Sequence, residues 1–321
     1  MMAAAGAAAI SSFQQLLASG RFAVTAELVP PVSTDPAAVL ARALPLRRCV
    51  AAVNVTDGAG ARAHVAGLVA ARILIDNGIE PILQMACRDR NRLALESDLL
   101  GALALGVRNL LVLTGDDPKS GDQPEAKPVF DLDSRALLAL AHRLSREGRL
   151  PPDTPVDGAT SLFLGAADVP IDPPPGWAPT ALAAKAAAGA RFVQTQFCFD
   201  MGVARRYAAR LAEHGLGERI KLLIGIAPLP SARSARWMRE KLAGSIVPDA
   251  VIARLERAAD PRREGIRLCA ELLQELATIP GIAGAHVMAP QNPAAIPEAI
   301  AAAGLGVDRI VPPPEGPATT R

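Results

Sequence analysis

Eight short apolar runs, each leading into a stretch of helical periodicity, predict a single (β/α)8 TIM barrel with an extra N-terminal helix. Two further observations agree. The chain has no internal repeat. Its first strand runs into Glu27-Leu28-Val29-Pro30-Pro31, where a doubly wound dinucleotide fold needs a glycine-rich turn. At 321 residues, half of them hydrophobic, the chain is long enough for one large core. It divides into an N-terminal helical extension at 1–20, the barrel at 21–305 and a flexible C-terminal tail at 306–321.

Each element has its own signal. SSFQQLLASG is amphipathic and reads as the N-terminal helix. Residues 21–28 alternate as strand one and stop at Pro30-Pro31, which leaves Glu27 at the outgoing end. Residues 50–56 form strand two, closed by Asp57-Gly58, and helical periodicity follows from His64 to Gly78. Strand three is 80–86, then the polar CRDRN turn and a helix over 93–105. Strand four, 109–114, is a continuous Leu/Val run that ends at Gly115, with Asp116 and Asp117 directly after it. A helix over 137–149 precedes a loop at 151–158, judged too rich in proline for regular structure. Strands five to eight are 161–167, 192–199, 221–227 and 282–289. Helices over 180–188 and 201–214, a long region at 232–276 broken at Pro248 and Pro261, and a last helix over 296–303 complete the alternation.

Composition narrows the function. Lys and Arg number 34 against 32 Asp and Glu, so overall charge argues for no nucleic acid partner. Arg205, Arg206, Arg210, Arg233, Arg236 and Arg239 recur at helical spacing and read as solvated faces. Cys49, Cys87, Cys198 and Cys269 form no CxxC pair; they read as reduced thiols of a cytoplasmic protein. His64, His142, His214 and His286 are scattered, and no metal site is expected. The N-terminal MMAAAGAAAI lacks the basic region of a signal peptide, and no membrane span is expected.

A barrel brings the outgoing ends of its strands to one mouth, where catalytic groups stand. That mouth would gather Glu27, Thr56, Asp57, Gln84, Asp116, Asp168, Gln196 and Gln291. Two carboxylates among neutral amides are the parts of an acid/base site for a polar heterocycle. Glu27, after an apolar strand and before two prolines, is the stronger candidate acid, set against the plainer reading of a strand-end carboxylate paired with a local arginine. Trp177, Phe197, Phe199 and Tyr207 read as packing rather than as stacking platforms.

The motifs TAELVPP, VNVTDGAGA, LTGDDP with EAKPVFDLD, KAAAGARFVQTQFCFD and IGIAPL, in this order, resemble the methylenetetrahydrofolate reductase family over residues 22–288. EPILQMACRDRN and EAKPVFDLD are similar to its bacterial branch. The resemblance implies a flavin-dependent oxidoreductase that interconverts 5,10-methylenetetrahydrofolate and 5-methyltetrahydrofolate with NADH or NADPH. Glu27 would be the general acid that opens the five-membered ring before hydride reaches the iminium carbon. Asp116 would stabilise that cation, and Gln196 and Gln84, with Asp116, would bind the pterin. Cofactor contacts are implied for Thr56, Asp57, Gln84, Thr114, Gly115, Asp116, Asp131, Ala166, Ala167 and Lys185.

The departures from the family pattern bear on the cofactor. Gln84 stands where a histidine is usual, Thr114 replaces an arginine and Ala167 a tyrosine, while Ala178, Ala181 and Ala184 stand where polar groups would grip a ribose and pyrophosphate. FAD is the first expectation, with FMN or direct hydride transfer without flavin as alternatives. A pterin-dependent barrel methyltransferase is the reading from another reaction class. The oligomeric state, and a partner electron-transfer subunit, are left open.

Overall fold

The computed structural model describes residues 10–158, 161–289 and 292–305. Eight strands close into a parallel barrel in chain order: β1 (Ala23–Leu28), β2 (Ala52–Val55), β3 (Pro81–Ala86), β4 (Asn109–Leu113), β5 (Phe163–Asp168), β6 (Phe192–Phe197), β7 (Lys221–Ile226) and β8 (Ile282–Val287). β8 pairs back onto β1 with Thr25 beside His286, and β1 pairs with β2 with Glu27 beside Asn54. The apolar runs mark every strand to within two residues at either end. The predicted tail and Gln291 lie outside the described residues.

The helices are α1 (Ser12–Ala18), α2 (Pro36–Ala43), α3 (Gly67–Asp76), α4 (Arg92–Ala104), α5 (Ser134–Glu147), α6 (Thr180–Ala187), α7 (Met201–Glu213), α8 (Ala232–Lys241), α9 (Asp249–Arg257), α10 (Pro261–Leu276) and α11 (Ala295–Ala302). Most begin at a side-chain cap: Asn91, Asp133, Asp200, Ser231 and Asp260 each accept a backbone N–H from the first turn of the helix that follows. The breaks at Pro248 and Pro261 are real, with Pro248 preceding α9 and Pro261 opening α10. Helix α2 was not anticipated; its signal is the cap Asp35 followed by Pro36 at the first helical position. The proline-rich loop carries a two-residue antiparallel ladder, Arg149–Leu150 against Thr154–Pro155, a small correction that proline permits because this ladder has a free edge.

The N-terminal helix closes the floor of the barrel. Phe13 is fully buried and sits edge-on to Phe192 (centroids 5.3 Å apart) and Phe163 (5.8 Å), in one cluster with Leu16, Leu17, Ile82, Leu111 and Leu223. Its first turn is fastened by Glu80 at the start of β3. The Glu80 carboxylate accepts the backbone N–H groups of Ser12 (3.1 Å) and Phe13 (3.3 Å), the Ser12 hydroxyl, and the Asn109 amide at 2.8 Å. A carboxylate at a helix N-terminus suits both the free N–H groups and the helix dipole.

Burial raises the Glu80 pKa above the usual glutamate value even against these hydrogen bonds. A carboxyl whose folded pKa lies above its unfolded value contributes stability that is fully present below the unfolded pKa and is lost as pH rises through the folded one. We therefore expect the stability gap between the wild type and Glu80→Gln, measured by urea unfolding, to narrow as pH is raised from about 4 toward neutrality. A gap that widens over that range would contradict the assignment.

Candidate active site

Alternation along the strands sorts the inward side chains. Ile82 and Leu223 belong to the floor cluster, and the residues two and four further along the strands fill the barrel above it. There the interior turns polar. Thr25, Asn54, Gln84, Gln194 and His286 are all buried, from five different strands. Asn54 and Gln194 exchange amide hydrogen bonds across the barrel, at 2.5 Å from Asn54 Nδ2 and 3.0 Å back to Asn54 Oδ1. Gln194 Nε2 also donates to Thr25 Oγ1 at 3.0 Å, and that hydroxyl lies 2.9 Å from His286 Nδ1. Buried polar groups are tolerated only when partnered, and four of these five form one chain.

Glu27 stands at the outer end of β1, directly above this chain. Its side chain is 18 % exposed, and the His286 ring stands beside it, with Nε2 4.0 Å from the carboxylate. Among the described residues no lysine or arginine pairs with it, so the plainer reading of an arginine-paired strand end does not hold.

Asp116 occupies the rim beyond β4, exposed, with Oδ2 accepting the Gly60 backbone N–H at 3.2 Å. That contact draws the loop after β2 to the lip of β4. Thr114 is exposed beside it. Gly115 between them has φ +94°, and a Cβ there would meet Arg88 Cβ at 2.9 Å and Ala86 Cβ at 3.2 Å, so only glycine lets these two lips approach. Glu27 and Asp116 thus end on the same rim, three strands apart.

Gln196 is half-buried near the end of β6. The β6–β7 register shifts between Gln194 and Phe197, and the Thr195 hydroxyl accepts the Gly225 N–H at 2.9 Å in place of a regular ladder bond. A Cβ on Gly225 would lie 2.3 Å from the Thr195 carbonyl oxygen and 2.8 Å from that of Gln196, so glycine is required beside this bulge. Neither the bulge nor the polar chain can be seen in a strand pattern alone.

The implied cofactor residues divide. Thr56 is 3 % exposed and its Oγ1 has no hydrogen-bond partner among the described residues, the kind of atom a bound molecule satisfies. Lys185 Nζ donates to the Ala167 carbonyl oxygen at 2.6 Å, which brings those two together at the end of β5. Ala166 turns its side chain into the buried layer between strands and helices, away from the mouth. Asp57 is held by the half-buried Arg90 and accepts the Ala86 N–H at 2.8 Å. Asp131 is bound by Arg92 through both oxygens at 2.8 and 3.0 Å; these hydrogen bonds, with one from the Arg92 backbone, hold its pKa at about 2. Both carboxylates are therefore engaged by arginines, Arg90 of the β3–α4 turn and Arg92 at the start of α4.

Asp168 leaves the predicted group. It accepts the hydroxyl of Tyr207, a fully buried residue of α7, because residue 167 takes the inward position and residue 168 the outward one. Trp177 packs on Tyr207 and Phe197 on Phe199, as the packing reading expects.

A cleft of about 290 Å³ opens beside the mouth, not over Glu27. It lies between the loops after β2, β3 and β4, with Arg62, His64, Arg88, Asp89 and Gln123 in its wall. The buried Arg88 guanidinium was missed by sequence reading; it binds Asp89 at 2.7 and 2.8 Å and donates to the Gly58 carbonyl at 3.2 Å.

Elsewhere the surface is ordinary. Arg205, Arg206, Arg210, Arg236 and Arg239 each pair with a carboxylate in solvent. The four cysteines are free, and burial pushes the thiols of Cys87 and Cys198 up to about 11 and Cys269 to about 12, so these three are no ready nucleophiles. Among the described residues no helix is long and apolar enough to cross a membrane, and no group of three or more His, Cys, Asp or Glu side chains could hold a metal ion.

Comparison with known proteins gives one informative result. No curated protein matches the sequence. Among solved structures, tryptophan synthase from M. tuberculosis in its aminoacrylate-bound form is 17 % identical with a TM-score of 0.41, covering 85 % of this chain and 99 % of that one. Yersinia pestis DHPS with a pterine-sulfa conjugate is 12 % identical with a TM-score of 0.47, covering 89 % and 93 %. Neither likeness bears on function. The model of the methylenetetrahydrofolate reductase family, in contrast, matches residues 12–304, from the helix that plugs the barrel floor through all eight strands to the last helix. On that match, which takes in Glu27, Asp116 and Gln196 alike, the chain belongs to the methylenetetrahydrofolate reductase family.

Proposed function

We propose that the protein reduces the methylene bridge of 5,10-methylenetetrahydrofolate to the methyl group of 5-methyltetrahydrofolate, at the expense of NADH or NADPH. The observation that carries this reading, beyond family membership, is Glu27: a largely buried carboxyl at the mouth that no arginine or lysine among the described residues pairs with. Glu27 protonates the N10 amine nitrogen of the bound pterin, whose bond to the bridging carbon then breaks to leave an N5-iminium cation. The Asp116 carboxylate, across the rim, offsets that positive charge as it develops. The Gln196 amide orients the pterin by hydrogen bonding, with Gln84 deeper on the inward face.

The unpartnered Thr56 hydroxyl, the backbone at Gly115 and the Lys185 ammonium would hold a flavin, with FAD as our first assignment. When bound, the flavin supplies the hydride that quenches the cation. Ala178, Ala181 and Ala184 offer nothing polar to a ribose or pyrophosphate, which is why FMN is the alternative.

The test is an assay of the purified full chain with methylenetetrahydrofolate and each reduced nicotinamide nucleotide, with and without added FAD or FMN. We expect one methyltetrahydrofolate formed per nucleotide oxidised. Methyl transfer from methyltetrahydrofolate to a corrinoid, without nucleotide oxidation, would instead establish a methyltransferase.

A further inference from the structure

Among the described residues, His286 is a buried titratable side chain of the barrel's polar interior that the proposed reaction does not use. It is 3 % exposed and lies beneath Glu27, with Nε2 4.0 Å from the Glu27 carboxylate and Nδ1 2.9 Å from Thr25 Oγ1. The chain of bonds behind it favours one placement of the ring proton. Asn54 Nδ2 donates to Gln194 Oε1, which leaves Gln194 Nε2 to donate to Thr25 Oγ1. The Thr25 hydroxyl thus accepts one bond and has a single proton to place. Two acceptors are in range, His286 Nδ1 at 2.9 Å and the Ala285 carbonyl at 3.4 Å. Placing the proton in the shorter contact leaves Nδ1 bare, whereas an Nδ1–H would have to use the hydroxyl's second lone pair and send that proton to the longer one. A neutral imidazole with a bare Nδ1 carries its proton on Nε2, the atom that faces Glu27.

We infer that His286 is a positioning residue for the acid: its Nε2–H, oriented by the Thr25–Gln194–Asn54 chain, receives the Glu27 carboxylate as that group loses its proton to the substrate. This rests on the reductase reading above. A contact of 4.0 Å is too long for a hydrogen bond, so in the resting site it does little to oppose protonation of Glu27. Once the proton leaves, the carboxylate gains a full charge and an N–H donor is aimed at it; such contacts tighten in the reacting complex. The interaction is therefore stronger in the transition state than in the ground state, the condition for it to raise the rate and not merely the affinity. Glu27 afterwards regains its proton from solvent through the open mouth, so the relay is balanced without His286 itself changing charge.

Three measurements on the full-length protein test this. His286→Phe, which keeps the ring volume and removes the donor, should lower kcat for methylenetetrahydrofolate reduction by about 10- to 100-fold, the worth of a hydrogen bond to a charged group, with KM for the pterin nearly unchanged. His286→Gln, whose amide N–H reaches a similar point, should restore most of the loss; a purely structural role would not separate these variants so. Nitrogen NMR of histidine-labelled protein, assigned with His286→Gln, should show the Nε2–H tautomer for His286, and Thr25→Val should abolish that preference. This last readout needs no turnover and survives even if His286→Phe fails to fold. A His286 ring protonated on Nδ1, or a normal kcat in soluble His286→Phe, would overturn the inference alone. Absence of turnover by the unaltered chain under every cofactor condition would overturn the reductase reading and this inference with it.

Discussion

Glu27→Gln is expected to reduce methylenetetrahydrofolate turnover by about 10²- to 10⁴-fold, the usual contribution of a positioned general acid. The substitution changes little else. Glutamine has the same shape, and Glu27 forms no ion pair with an arginine or lysine among the described residues, so no partner is left with an uncompensated charge. Stability should therefore move by less than about 1 kcal/mol. The decisive comparison is between two reactions of the same variant. Transfer of electrons from NADH or NADPH to an artificial acceptor requires no proton on N10, and it should continue at close to the wild-type rate. Reduction of the pterin requires that proton and should nearly stop, with kcat and kcat/KM falling together. Equal losses in both reactions would mean that Glu27 shapes the mouth and is not the acid; no loss in either would assign the acid elsewhere on the rim.

How much of this was legible in the chain depends on the distance over which each feature is determined. Strand ends are local: Pro30-Pro31 after β1 and Gly115 after β4 stop their strands by backbone chemistry, which puts Glu27 and Asp116 on the rim from sequence alone. Facing is also local, since alternation has period two. What alternation cannot supply is the partner across the barrel. Thr25, Asn54 and His286 each read as an unremarkable polar residue in an apolar strand and Gln194 as an amide sharing the inward face of Gln196, and only closure brings the four into one chain.

The same limit explains the misplaced carboxylate. Asp168 was grouped with the mouth because it follows strand five, yet β5 continues through residue 168 and the one-residue difference turns the side chain toward Tyr207. Asp57 and Asp131 show a third limit: the arginines that bind them, Arg90 in the CRDRN turn and Arg92 at the start of α4, are visible as charges but not as partners. The bulge at Thr195, finally, leaves Gly225 as its only trace in the sequence.

The N-terminal helix reads as an appendage, and the second large effect is expected there. Phe13→Ala should destabilise the protein by about 3–5 kcal/mol, the range for removing a fully buried aromatic ring. The ring closes the end of the barrel opposite the mouth, held edge-on by Phe192 and Phe163, which themselves stack at 5.0 Å. The strand residues around it, among them Ala23 and Ala52, are too small to close in on the space left behind. Glu80 would still fasten the first turn of α1, so the helix should stay in place over a cavity and not simply detach. That sets Phe13→Ala apart from Glu80→Ala, which leaves the ring but removes its anchor. Urea unfolding of both variants and of the pair measures the coupling between them. We expect the double variant to cost less than the sum, because once the helix is free to lift away, the ring no longer has a place to lose. A Phe13→Ala change below about 1 kcal/mol would show instead that the barrel floor is closed without α1.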